Sequence, residues 1–163
     1  MSLAGFHHAN VNWSTSTTIL FKGDLPKAIP SLDNPEIFLI PEDPFFKDID
    51  ALYLKVDVKK KTALVVPIQV TLAKTHKDSE TAFYSRWSDW QTRFEGYKLE
   101  TKFVWVLEDK QSCTMKGATI RITRARPDQA AGVKLICPAH EQIVVPVRGI
   151  SPSLGEELER IRR

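Results

Sequence analysis

The chain has 163 residues, of which 42% are hydrophobic and 26% are charged, and its formal net charge is +3. This length and composition predict one globular domain with its own apolar core. Two cysteines are too few for a disulfide framework, and no apolar run is long enough to cross a membrane. Because no signal peptide opens the chain, we expect an intracellular protein.

The N-terminal third is poor in regular patterns. Residues 1–18 show no steady apolar period, so we expect a flexible arm there, followed by a single domain at 19–163. Residues 19–49 contain five prolines, which disfavour a long helix. This segment therefore predicts an irregular, wrapped chain with one short strand near residues 37–40.

A β-hairpin is predicted next. Residues 49–58 and 62–73 are rich in apolar and β-branched side chains, as strands are. Between them lie Lys59, Lys60 and Lys61, a polar stretch short enough to form the turn. Apolar residues occupy most positions of both strands, so we expect the sheet to be covered on both faces.

A helical period follows the hairpin, because aromatic residues recur at spacings of three and four. We expect this stripe to face the core, with stacking on unpaired bases as the alternative. Its members are Phe83, Trp87, Trp90, Phe94 and Tyr97.

The C-terminal half returns to strand patterns and ends in a predicted helix. The strand candidates are residues 102–108, 118–125, 133–137 and 141–147, and the helix candidate is residues 151–163, with a serine cap. The order strand, strand, helix, strand, further strands and closing helix predicts an α/β (α+β) domain. We expect a mixed β-sheet flanked by helices.

The hairpin is predicted to bring polar groups together at one end. If two of the lysines form a two-residue loop, Asp50 lies directly opposite Gln69 with Cβ atoms about 5 Å apart, and Thr71 lies diagonally beyond. A longer loop, or a bulge at Pro67, would shift the register by one residue and turn the side chains to the other face. The alternative is that Asp50 only caps a turn and Gln69 only satisfies loop backbone.

Two segments resemble a known family. IFLIPEDPFFKDIDALYL and VVPIQVTLAKTH resemble the C-terminal domains of crinkler-type effectors and of retrotransposon-hot-spot proteins, closely over residues 37–78 and loosely over 133–150. In the second region PAHEQIVVPV, with Gln142, resembles the downstream strand of these proteins. The residues that carry the closer resemblance are Pro41, Phe46, Ile49, Asp50, Ala51, Gln69, Thr71 and His76.

The resemblance implies a restriction-endonuclease-like fold of the PD-(D/E)xK group, in which acidic residues on two strands hold Mg²⁺ and a lysine orients the attacking water. It implies Asp50 as a metal ligand, Gln69 at the second ligand position and the carbonyl of Val70 as a further ligand. The cofactor would be Mg²⁺ or Mn²⁺, since hydrolysis of a phosphodiester needs a metal that activates water and stabilises negative charge.

The sequence departs from that pattern at two positions. Gln69 replaces the second carboxylate, and Thr71 stands where the lysine belongs. Lys74 or Lys55 could substitute for the lysine, and His76 could act as the base. The resemblance therefore implies a magnesium-dependent endonuclease with a degenerate active site. An upstream acid is not assigned, although Glu36 and Glu42 are candidates.

The implied partner is DNA, with RNA or a host protein as alternatives, and the implied location is the nucleus of a host cell reached by a secreted effector. Two basic clusters are the candidate nucleic-acid contacts, and solvated turns or helix ends are the alternative explanation for each. Three hypotheses follow: an active nuclease, an inactive nuclease-fold binding module, and an interaction domain with a vestigial site. The oligomeric state is left open. The two clusters are Lys59, Lys60 and Lys61, and Arg121, Arg124 and Arg126.

Overall fold

A computed structural model describes part of the chain, namely residues 17–25, 27, 29, 36–43, 46, 49–71, 78–107, 119–123, 126–127, 136–150, 153, 156 and 160. The elements in this part are nine strands and three short helices. They are β1 (Thr17–Phe21), β2 (Glu36–Pro41), β3 (Ala51–Asp57), β4 (Thr62–Thr71), α1 (Asp78–Ser85), α2 (Trp87–Arg93), β5 (Lys98–Leu107), β6 (Thr119–Thr123), β7 (Arg126–Pro127), β8 (Ile136–Cys137), β9 (His140–Pro146) and α3 (Val147–Ile150).

One mixed sheet organises the described residues. Its seven strands lie in the order β1-β2-β3-β4-β5-β9-β6, and β7 and β8 form a separate pair. Strands β2, β3 and β4 are antiparallel neighbours, whereas β4, β5 and β9 are parallel. The crossover from β4 to the parallel β5 runs through α1 and α2, as parallel strands require. The predicted α+β class with a mixed sheet is confirmed.

The β3–β4 hairpin has the predicted register. Its ladder runs from the pair Asp57 and Thr62 to the pair Ala51 and Ile68 without a shift. Pro67 therefore causes no bulge. Residues 58–61 form the turn, and Lys61 takes the left-handed conformation with φ of 52° that closes it. The same register, continued by one residue, sets Asp50 beside Gln69.

Both faces of the sheet are covered, as predicted. Ala63 and Val65 of β4 belong to the core that includes the aromatic residues of α1 and α2, whereas Val66 and Ile68 belong to the core on the other face. Alternation along the strand assigns Gln69 to the face that α1 and α2 cover. Its neighbour in the β4–β5 ladder is Trp105, which packs against the same core.

The aromatic stripe belongs to the core, so the base-stacking alternative is wrong for its buried members. Two helices carry the stripe instead of the single helix predicted, because the chain turns at Arg86 between α1 and α2. The guanidinium of Arg86 bridges to Asp24 at 3.1 Å and to Asp89 at 3.3 Å, which stabilises the break. The residues with almost fully buried side chains are Phe83, Trp87, Trp90 and Phe94.

Two boundaries differ from the sequence prediction. Strand β1 begins at Thr17, inside the segment assigned to the arm, and it was not predicted. Helix α3 begins at Val147, directly after Pro146, and was not predicted. Of the predicted C-terminal helix, residues 153, 156 and 160 are helical, and the rest of 151–163 lies outside the described residues. Among the described residues, no helix has the length and apolar character needed to cross a bilayer.

A buried tyrosine links β2 to β3 on the face opposite Gln69. The Tyr53 hydroxyl donates to Glu36 Oε1 at 2.7 Å, and the Lys55 ammonium lies 3.4 Å from Glu36 Oε2. Burial, and then the hydrogen bond to Glu36, raise the pKa of Tyr53 well above its ordinary value. Glu36 is thereby committed to this contact, so it is not the upstream acid of the Asp50 site.

This contact makes a pH-dependent prediction. Because the folded-state pKa of Tyr53 is raised, its contribution to stability is complete below the unfolded pKa of about 10 and is lost as the pH rises further. Above pH ~10 the unfolding free energy of the wild type should fall by up to ~1.4 kcal/mol per pH unit more steeply than that of Tyr53→Phe. Urea unfolding at several alkaline pH values measures this difference. Tyr97→Phe is the control, and equal slopes for wild type and Tyr53→Phe would refute it.

Candidate functional site

The candidate site is built on Asp50, which immediately precedes β3. Its backbone N–H donates to the carbonyl of Ile68 at 2.9 Å. Its carboxylate oxygen Oδ2 accepts two hydrogen bonds, from Gln69 Nε2 at 2.6 Å and from the backbone N–H of Val70 at 2.6 Å. The contact predicted between the carboxylate and the amide is therefore present, and it fixes the rotamer of Asp50 against β4.

Oxygen atoms without donors lie beside this contact. Gln69 Oε1 is buried and has no hydrogen-bond partner among the described residues. Asp50 Oδ1 accepts no hydrogen bond from any described residue. A buried acceptor left unsatisfied costs about 1–3 kcal/mol, so such an atom calls for a water, an ion or another donor. Carboxylate and amide oxygens are the hard ligands that Mg²⁺ prefers, and the Val70 carbonyl is adjacent. The donor set fits a divalent cation.

The charge of the site is low for such a cation. Asp50 contributes one carboxylate, and the part of the chain that the structure describes holds no group of three or more His, Cys, Asp or Glu placed for a metal. A bound Mg²⁺ would keep several of its waters, as is usual for this ion. Glu42, the other candidate acid, forms an ion pair with Lys22 at 3.0 Å.

The position of the expected lysine is occupied by a buried hydroxyl. Thr71 is 4% exposed and ends β4, two residues beyond Gln69 on the same face. Lys55 does not substitute, because it binds Glu36 and lies on the opposite face of β3. Lys74 and His76 lie outside the described residues.

The lysine cluster lies at the other end of the hairpin. Seven residues separate Asp57, where the turn begins, from Asp50, which is roughly 23 Å along an extended strand. Lys60 pairs with Asp57 at 3.5 Å, and the Lys61 ammonium lies 4.7 Å from the centre of the Tyr97 ring. The three lysines lie in the turn, as predicted, but this turn is far from Asp50.

Of the arginine cluster, the backbone of Arg121 lies on a strand remote from Asp50. Arg121 belongs to β6, the edge strand four positions from β3 in the sheet, which is roughly 19 Å at the usual strand spacing. Arg126 begins β7, and Arg124 lies outside the described residues.

A second polar centre was missed by sequence reasoning. His140 begins β9, and its Nε2 lies 2.7 Å from Glu80 Oε1 on α1, while Gln142 Nε2 donates to Glu80 Oε2 at 2.6 Å. His140 Nδ1 lies 2.9 Å from the carbonyl oxygen of Pro138, and the Tyr84 ring lies over the imidazole with centroids 4.4 Å apart. Sixty residues separate Glu80 from His140, so no local spacing signals the pair.

A cavity of about 480 Å³ lies away from Asp50 and Gln69 but adjoins the second centre, since Thr101 and Pro138 are among its lining residues. It is bounded by the end of α2 and the start of β5, with Trp87, Glu95, Tyr97 and Leu99 in its walls. Leu99 pairs with Ala63 and Trp105 with Gln69, so the cavity and Asp50 are at opposite ends of the sheet. The cavity is therefore not part of the candidate site.

No protein-family model, curated protein or solved structure matches the chain.

Proposed function

We propose that the chain is a nuclease-like domain of the restriction-endonuclease type that acts on DNA phosphodiesters with Mg²⁺ or Mn²⁺. The observation that carries the proposal is the carboxylate of Asp50 held against Gln69, whose buried Oε1 meets no donor in the part of the chain that the structure describes. The antiparallel β2-β3-β4 order, followed by a helical crossover to the parallel β5, supports it. This is the strand and helix order that the resemblance implies.

The roles follow from the contacts. Asp50 supplies the negative charge, and the donors from Gln69 and Val70 hold its carboxylate in one orientation. Asp50 Oδ1, Gln69 Oε1 and the Val70 carbonyl would hold the cation, which when bound lowers the pKa of a water and stabilises charge on the phosphate. Lys74 and His76 follow β4 in the chain and are the proposed sources of a positive charge and a base.

The test is cleavage of supercoiled plasmid by the full chain in Mg²⁺ or Mn²⁺. We expect the wild type to nick the plasmid and Asp50→Asn to do so at least about 100-fold more slowly, because the substitution removes the only charge of the proposed ligand set. Asp89→Asn, the same chemical change on the exposed surface of α2, is the control and should leave the rate unchanged. Equal cleavage by wild type and Asp50→Asn would exclude Asp50 from the mechanism.

A second function is favoured by the single carboxylate and by the burial of Thr71, which leaves the lysine position without a positive charge. We propose as the alternative a catalytically inactive module of the same fold that binds nucleic acid or a host protein. In the cleavage assay such a module gives no product. In a separate binding measurement it should bind DNA at low salt and release it as the salt concentration rises, because counterion release drives such binding. Product formation that depends on Asp50 would reject this alternative.

A further inference from the structure

Glu80 of α1 and His140 of β9 form a buried acid–base pair that connects the helix to the sheet. The side chain of His140 is 0% exposed and that of Glu80 is 16% exposed, and the two groups are 2.7 Å apart. Neither residue belongs to the Asp50 site. Since buried charged groups are retained only when paired and hydrogen-bonded, the protonation of this pair decides whether it stabilises the fold.

Counting hydrogen-bond donors fixes the position of the proton. The Pro138 carbonyl can only accept, so His140 Nδ1 carries a hydrogen. Nε2 faces the carboxylate of Glu80, whose other oxygen already accepts from Gln142. Imidazole is a stronger base than a carboxylate, so the proton between Nε2 and Oε1 belongs to the ring. Both ring nitrogens then donate, which describes an imidazolium and carboxylate pair.

We propose that the Glu80–His140 pair is a pH-sensitive lock that holds α1 against β9 through a proton taken up on folding. The ring of Tyr84 covers one face of the imidazole, and the Tyr84 hydroxyl is hydrogen-bonded to Thr101 Oγ1 at 3.0 Å. The lock thus lies between helix and sheet with its imidazole fully buried, so a hydrogen bond lost by the ring is costly to leave unmade. Losing the proton weakens the attachment of α1.

Another charged pair lies near the lock among the described side chains. On β5 and β9, Lys102 and Glu141 are joined at 3.1 Å, which leaves their charges mutually compensated. On α1 the charged group facing the ring is Glu80, and Tyr84 is uncharged at neutral pH. From β6 the backbone of Thr123 pairs with His140. Among the described side chains, the imidazolium is therefore balanced by Glu80.

The sign of the pH effect follows from the proton balance. In the unfolded chain a histidine loses its proton near pH 6.5, whereas the folded pair keeps it to higher pH. The stabilisation is complete below pH ~6.5 and is lost as the pH rises until the folded pair also releases its proton. In that interval the unfolding equilibrium constant grows by up to tenfold per pH unit.

The test is urea unfolding of the full chain from pH 6 to pH 8, comparing the wild type with Glu80→Gln. The glutamine keeps the shape and can bind a neutral imidazole, so the variant should lose the proton uptake. We divide the unfolding equilibrium constant of the variant by that of the wild type. This ratio should fall at least tenfold between pH 6 and pH 8, because the wild type loses stability over that interval and the variant does not. A ratio constant within about twofold would overturn the proposal. His7, His8 and His76 are present in both proteins, so their titration cancels.

A second measurement reads the proton directly and needs no variant. In the wild type at pH 7.5, nitrogen-15 NMR should show both ring nitrogens of His140 in the protonated range. A neutral tautomer, with one protonated and one unprotonated nitrogen, would overturn the lock even if Glu80→Gln failed to fold.

Discussion

Replacing Asp50 with alanine should lower the free energy of unfolding by about 2–4 kcal/mol, since hydrogen bonds to a charged group contribute ~1.5–3 kcal/mol each. Alanine removes the acceptor of two such bonds, from Gln69 Nε2 and from the backbone N–H of Val70. The amide of Gln69 would then keep only its longer hydrogen bond, which Nε2 donates to the Val70 carbonyl at 3.3 Å. These two hydrogen bonds give Asp50 a structural role: it holds the end of β4 against the start of β3.

Asparagine separates that structural role from the role of the charge. Asp50→Asn keeps an oxygen that can accept from Val70, so its loss of stability should be about half that of Asp50→Ala. Urea unfolding at pH 7 gives both values, provided that the denaturant slope stays constant. Asp89→Asn, which removes an exposed ion pair, should cost less than about 1 kcal/mol. An alanine variant as stable as the wild type would show that the Asp50 contacts do not hold the hairpin end.

Introducing a second carboxylate at position 69 should strengthen the binding of a divalent metal. Gln69→Glu removes the amide donor to Asp50 and puts two negative charges where the side chains are now 2.6 Å apart. Without metal the variant should be less stable than the wild type by about 1–3 kcal/mol, because like charges repel and a hydrogen bond is lost. With Mn²⁺ the two carboxylates become ligands, and affinity should rise at least tenfold, or ~1.4 kcal/mol.

Thermal unfolding with and without Mn²⁺ measures this change, since a ligand that binds only the folded state raises the midpoint. Gln91→Glu carries the same substitution and the same net charge on the exposed surface of α2, so its midpoint should not respond more than that of the wild type. If Gln69→Glu gains no more from Mn²⁺ than Gln91→Glu does, the oxygen atoms at position 69 do not face a metal.

The hairpin and its polar end could be predicted because their determinants are local. A short polar turn limits the register, and an apolar pattern on both strands fixes which side chains share a face. With a two-residue loop these constraints bring Asp50 to Gln69, and the structure has that register rather than the shifted one that the sequence also allowed. The left-handed turn residue Lys61 was not predictable in the same way, since lysine is not a residue that prefers that conformation.

The remaining features depend on tertiary contacts. The break between α1 and α2 is stabilised by Arg86 reaching Asp24, which is 62 residues away in sequence. The pairing of β5 with β9 sets Thr101 beside the start of β9, where His140 meets Glu80. No periodicity within one segment encodes such contacts. The restriction-endonuclease-like core stays a prediction, as do the roles of the two basic clusters.

The most direct test of the central claim is a calorimetric titration of Mn²⁺ into the wild type and Asp50→Asn at the same pH and salt. A cation held between a carboxylate oxygen and an amide oxygen at the end of two neighbouring strands should give one saturable site in the wild type and none in the variant. Identical heats for the two proteins, or no binding to either, would contradict a metal site at this position.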